Sequence, residues 1–174
     1  MTYEYAVYFR LLLLSGYDGE LQEYIDTALE NQDPVSDIVL SLSTVGADNK
    51  KLLCVLNEYI RKTDESEIDY DTTVFGLILS FLRKKRSELS DKELTSLMYC
   101  FACNSGREHN DPWHIMLTFG VLYEDAVLGY VDKNNYLHEL DLFLNDGVCL
   151  CDYPLKTCKE PFFKRVLSRF KCKH

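Results

Sequence analysis

Little in this sequence points to a particular chemistry. It holds no glycine-rich GxGxxG turn, no phosphate-binding P-loop and no GxSxG nucleophile elbow. The usual enzymatic signatures are therefore missing. Long apolar runs are missing too. The longest aliphatic run is Leu11 to Leu14, far short of the ~20 residues that a bilayer-spanning helix needs. No membrane partner is expected. Glu4 comes early and the first basic residue is Arg10, so the start does not read as a signal peptide and a cytoplasmic protein is expected. No linker or low-complexity stretch divides the 174 residues, which suit one domain of ordinary size.

What is present is a soluble balance of residues with an uneven charge. Residues 1–148 hold 26 Asp and Glu against 12 Lys and Arg; residues 149–174 hold 2 against 7. The chain thus reads as an acidic body, 1–148, followed by a basic, cysteine-rich C-terminal segment, 149–174, expected to pack on the same domain. An acidic body repels phosphates, so no nucleic-acid partner is expected. It favours solubility and a basic protein partner.

The apolar spacing is helical almost everywhere. Tyr5, Tyr8, Phe9, Leu12 and Leu13 form the first stripe, and Leu21, Ile25, Ala28 and Leu29 the second. Asp33-Pro34 stands where a cap and first helical residue belong, and Gly46 where that helix would stop. Further stripes run through Leu52–Ile60, Val74–Leu82, Leu94–Phe101, Ile115–Tyr130 and Leu137–Leu144. Ser90 and Glu93 match a capping box, and Asp111-Pro112 repeats the cap-plus-proline start. A last stripe contains Phe162, Val166 and Phe170. The expected fold is all-α: about nine helices in antiparallel hairpins, as an irregular HEAT-like array or a compact helical bundle.

Two motifs need testing. "HELDL" (138–142) begins like a zincin helix, but Leu142 stands where the second histidine is required. "CFACNSGREHNDPWH" (100–114) holds Cys100 and Cys103, then His109 and His114. Two thiolates and two imidazoles are a legitimate zinc set. The gap between the pairs is shorter than in a zinc finger. The alternative reading is a helix end, an exit loop at Gly106 and a new helix start, with the cysteines as small hydrophobes beside the buried face. That reading needs no cofactor, and zinc stays as the minority alternative. Cys54 stands alone on a helical face and reads as packing. Cys149, Cys151, Cys158 and Cys172 read as buried thiols, a metal set or a disulfide source. No cysteine–histidine or serine–histidine pair is singled out by position, so no catalytic residue is named.

The acidic loop "TDESEIDYD" (63–71) carries Asp64, Glu65, Glu67, Asp69 and Asp71. It lacks the glycine and regular ligand spacing of a calcium loop. It is either a solvated connection or a docking surface for a basic partner. Glu124 and Asp125 on a later helix would extend an acidic surface. The tail "PFFKRVLSRFKCK" (161–173) reads as a basic amphipathic helix capping the acidic body, or touching lipid or a partner groove.

A small, acidic, tyrosine-rich helical protein that carries "DESEIDYD" (64–71) resembles the immunity proteins of bacterial toxin systems, including the contact-dependent inhibition type. The resemblance spans residues 1–148 and lies in style, not in a motif. It implies a non-enzymatic inhibitor that neutralises a basic cognate toxin domain. The alternatives are a helical scaffold with structural zinc, or an enzyme with a dispersed Cys/His/carboxylate site.

Overall fold

The first helix decides how the others pack. In the computed structural model, which describes residues 1–146, α1 (Tyr3–Leu14) buries Ala6, Val7, Tyr8, Phe9, Leu11, Leu12 and Leu13. A helix that is apolar on so many sides belongs in the core. The others are α2 (Gly19–Asn31), α3 (Asp37–Val45), α4 (Asn49–Ile60), α5 (Phe75–Lys85), α6 (Asp91–Ser105), α7 (Trp113–Val127) and α8 (Lys133–Asp146). A short 3-10 turn (Glu65–Glu67) and a π turn (Tyr70–Val74) lead into α5. The described residues are thus all helical, with eight α-helices and no strand. The ninth stripe, the basic segment 149–174 and its four cysteines lie outside the described residues.

The helices pair in sequence, α2 with α3, α3 with α4, α6 with α7 and α7 with α8. They also pair out of sequence: α1 lies against both α4 and α6, and α5 against α8. These non-neighbour contacts close the array into one bundle around α1. One continuous core of buried residues runs from Ala6 to Leu144. An aromatic seam joins three helices: the Phe75 ring lies 5.3 Å from Trp113 and 6.0 Å from Phe143, which lies 5.1 Å from Phe119.

The ends are fixed by local chemistry. Asp48 caps α4 by accepting from the backbone N–H groups of Lys50 and Lys51. Ser90 and Glu93 form the expected reciprocal box on α6. Gly106, left-handed at φ 71°, ends α6 as anticipated. Arg83, in the basic last turn of α5, donates to the carbonyls of Leu144 and Asn145 and so caps α8. Two starts are corrected. Asp33-Pro34 does not open α3: Ser36, extended at φ −68° and ψ 144°, precedes the first helical residue Asp37. The buried set Ile38, Val39 and Leu42 fixes the register beyond the proline. At α7 the helix begins at Trp113, with Pro112 at the cap, one residue later than expected.

The capping box and the aromatic seam give a stability test. Ser90→Ala is expected to lower unfolding free energy by about 1 kcal/mol. Phe119→Ala, at 0% exposure, is expected to lower it by about 3–5 kcal/mol. Urea denaturation checks both, and an unchanged midpoint for Ser90→Ala would show that the cap contributes nothing.

Candidate functional site

The acidic loop is a built structure. After α4 ends, Asp64 accepts the Ser66 backbone N–H at 3.0 Å and opens the 3-10 turn. Glu67 accepts from the Thr63 hydroxyl at 2.9 Å. Asp69 accepts from the Thr72 and Thr73 backbone N–H groups and from the Thr73 hydroxyl. Those bonds cap the π turn, whose wide ring is closed by Val74 N–H to the Asp69 carbonyl at 3.0 Å. Ile68, Tyr70 and Val74 point into the core and anchor the loop there.

Two residues of the 106–114 region hold the loop from behind. Trp113, fully buried, donates its indole N–H to Asp71 at 3.2 Å. An indole N–H in a core needs such a partner, because leaving it unmade is expensive. Arg107 lays its guanidinium over the Tyr70 ring, 4.3 Å from the centroid. It also stands 3.6 Å from Asp71 and 3.9 Å from Glu65. A cation over an aromatic face is attracted by the ring's electrons.

The electrostatics follow from these bonds. The Ser66 backbone N–H holds the Asp64 carboxyl below its ordinary value. The Thr73 hydroxyl, joined by the two backbone donors, does the same for Asp69. Burial pushes the Tyr70 phenol up, against the pull of the Arg10 charge. All five loop carboxylates stay exposed to solvent.

Tyr70, Ile68 and Glu65 form a wall between two hollows. The outer one, about 360 Å³, is closed by Arg107 and the acidic turn. The inner cleft, about 610 Å³, lies between α1, the end of α4 and the end of α6. Arg10, Arg61, Thr63 and Cys103 reach it. Sequence reasoning did not single out Arg10, Arg61, Arg107 or Tyr70 as site residues. The partners of Arg10, Arg107 and Tyr70 lie tens of residues away, and Arg61 meets the others only across the cleft, so no local spacing announces them.

The other anticipated residues lie elsewhere. Glu124 is exposed and Asp125 half-buried in the last turn of α7. Glu124 lies eleven positions beyond Trp113, roughly 16 Å along a helix axis. They are therefore not continuous with the loop along that helix. Around Glu124 the surface is apolar, with Val121, Val127, Leu128 and Tyr130 exposed. Cys100 and Cys103 are exposed, which corrects their reading as small buried hydrophobes, and so is Cys54. Cysteine burial was inferred from position beside the stripe, but the buried face of α6 is completed by Thr95 and Ala102 instead. His109 projects outward at 88% side-chain exposure. His114 faces the Glu108 carbonyl through Nδ1 at 3.1 Å. The four zinc candidates do not gather: among the described residues no three His, Cys, Asp or Glu side chains converge on a point where a metal ion would sit. Among these residues, too, no helix is long and apolar enough to cross a membrane.

Comparison with protein-family models, curated proteins and solved structures returns no match to this chain. Function must therefore be argued from the geometry.

That geometry makes two stability predictions. Asp71→Ala leaves the buried Trp113 indole N–H without its partner and is expected to cost about 1–3 kcal/mol, read from the emission of the single tryptophan during denaturation. The second concerns acid. A carboxyl held low in the folded state stabilises the fold above its unfolded value of about 3.9, and that contribution is lost as pH falls through the folded value. Asp69→Asn keeps an acceptor but removes the titration. Its unfolding midpoint should fall less than the wild type's between neutral pH and strong acid, and parallel curves would remove Asp69 from the account.

Proposed function

We propose that this protein is a non-enzymatic binding module that engages a basic protein partner through the acidic loop. One observation carries the reading. Five exposed carboxylates stand on a loop whose backbone is pinned by Tyr70, Arg107, Trp113 and its own caps. A charged surface held in one geometry before binding loses little freedom on association. Its field also steers an oppositely charged partner and raises the encounter rate. The acidic excess of residues 1–148 adds to that field at longer range.

The most specific form of the proposal is an immunity-type inhibitor. In that form the protein works in the bacterial cytoplasm and covers the basic surface of a cognate toxin domain. The support is the same as for the broader reading: net negative charge, an all-helical frame and an ordered acidic projection. Glu65 and Glu67 are the residues best placed to meet the partner. Asp64 and Asp69 spend lone pairs on the loop itself, and Asp71 on the Trp113 indole. Among the described residues Glu65 meets only Arg107, at 3.9 Å, and Glu67 only a threonine hydroxyl. Glu124 and Asp125 serve, if at all, as a separate contact.

The test uses the product of the neighbouring reading frame as the binding partner, by co-purification and by stopped-flow association. Glu65→Lys with Glu67→Lys should slow association at least tenfold at low salt and flatten its salt dependence. Circular dichroism should be unchanged, because neither side chain caps a turn. Wild-type association by the double variant would remove the acidic-loop mechanism.

A further inference from the structure

We propose that the cleft behind the acidic loop binds a small oxyanion, a phosphate or carboxylate group carried on an apolar body. The proposal does not depend on the protein-partner reading: Glu65 borders both hollows, but the groups that would hold the anion are Arg10, Arg61 and Tyr70.

Arg10 projects from the central helix, is half-buried, and makes no ion pair among the described residues, although the body is strongly acidic. Its one hydrogen bond is a long one, 3.4 Å, to the Asn104 carbonyl. Its Nε is buried with no acceptor. A guanidinium taken out of water normally finds a carboxylate or a full set of carbonyls. Here it lines a cleft of about 610 Å³ instead. Arg61 enters the same cleft from the end of α4 and also forms no ion pair among the described residues. The Tyr70 hydroxyl, on the shared wall, makes no hydrogen bond within them. Two guanidinium forks and a free phenol donor are the groups that hold phosphate or carboxylate oxygens.

The rest of the lining sets the size and character of the ligand. Ile60, Ile68 and the Tyr70 ring provide an apolar wall. The volume lies within the range of small-molecule sites, about 300–1,000 Å³. Among the described residues Glu65 is the one carboxylate at the rim, and it stands 3.9 Å from Arg107. Its charge weakens an anion in the cleft and so marks where the anion sits.

Calorimetry at low ionic strength tests this on the full chain. Phenyl phosphate and benzoate are the probes, with sodium chloride at matched ionic strength as control. At least one probe should bind with saturation, and the stronger of the two assigns the oxyanion. Arg61→Gln, a change at an exposed residue, should weaken that binding about tenfold or more, the loss of a hydrogen-bonded charge. Arg10→Gln should do the same. Glu65→Gln should tighten binding about two- to fivefold. Failure of both probes to bind beyond chloride, or equal affinity in wild type and Arg61→Gln, would overturn the proposal. Weaker binding by Glu65→Gln would count against it as well.

Discussion

The stacking of Arg107 on Tyr70, together with the Trp113–Asp71 hydrogen bond, joins two parts of the chain that would otherwise be independent. One part is the acidic turn between α4 and α5. The other is the connection between α6 and α7. Asp71 accepts from Trp113 and stands near Arg107, while Arg107 covers the ring of Tyr70. Trp113 in turn meets Phe75 edge-on, so the pin continues into the aromatic seam. A surface loop rich in like charges ordinarily spreads in solution, because its carboxylates repel one another. Here a single guanidinium and a single indole N–H, both fixed by the core, offset that tendency.

The core in turn depends on α1. Its buried residues face α4 and α6 at once, which brings the ends of those two helices to the same side of the bundle. The acidic turn follows the end of α4, and the Arg107 connection follows the end of α6. The juxtaposition of the two is therefore a consequence of burying α1, and it would not arise in an open array in which each helix met only its sequence neighbours. Arg10 is the half-buried basic residue of α1, and it emerges at that junction.

Much of the frame was legible in the sequence, for a physical reason. Helix formation leaves a local mark: apolar residues recur at helical spacing, Ser90 and Glu93 sit three apart, and Gly106 occupies a left-handed stop. Each of these is read within a few residues. Charge is equally local, so the exposed acidic turn was visible at 63–71. What was not legible rests on distant pairs. Nothing near Arg107 says that it covers Tyr70, and nothing near Trp113 says that Asp71 accepts its hydrogen bond. Cysteine exposure failed for a related reason. Cys100 and Cys103 flank the apolar stripe of α6, and only the placement of the neighbouring helices decides that Thr95 is buried and they are not. Pro34 misled in the same way, because its helix-starting role is a local preference that the buried register of Ile38, Val39 and Leu42 overrides.

The acidic loop has two chemically opposite sides. Its outer side carries five carboxylates in water. Its inner side, through Tyr70 and Ile68, closes a cleft reached by Arg10 and Arg61. Glu65 borders both, and Arg107 lies across the ring that separates them. An anion held in the cleft would add negative potential beneath the carboxylates and strengthen their attraction for a basic partner. A basic partner on the outer side would, by the same interaction, favour the anion. Linkage makes these effects equal in free energy. Among the described residues Glu65 is the carboxylate that lines both hollows. On the two proposals its removal would act in opposite directions, favouring the anion and disfavouring the basic protein. No substitution at Glu67, which lines the outer hollow alone, has that property.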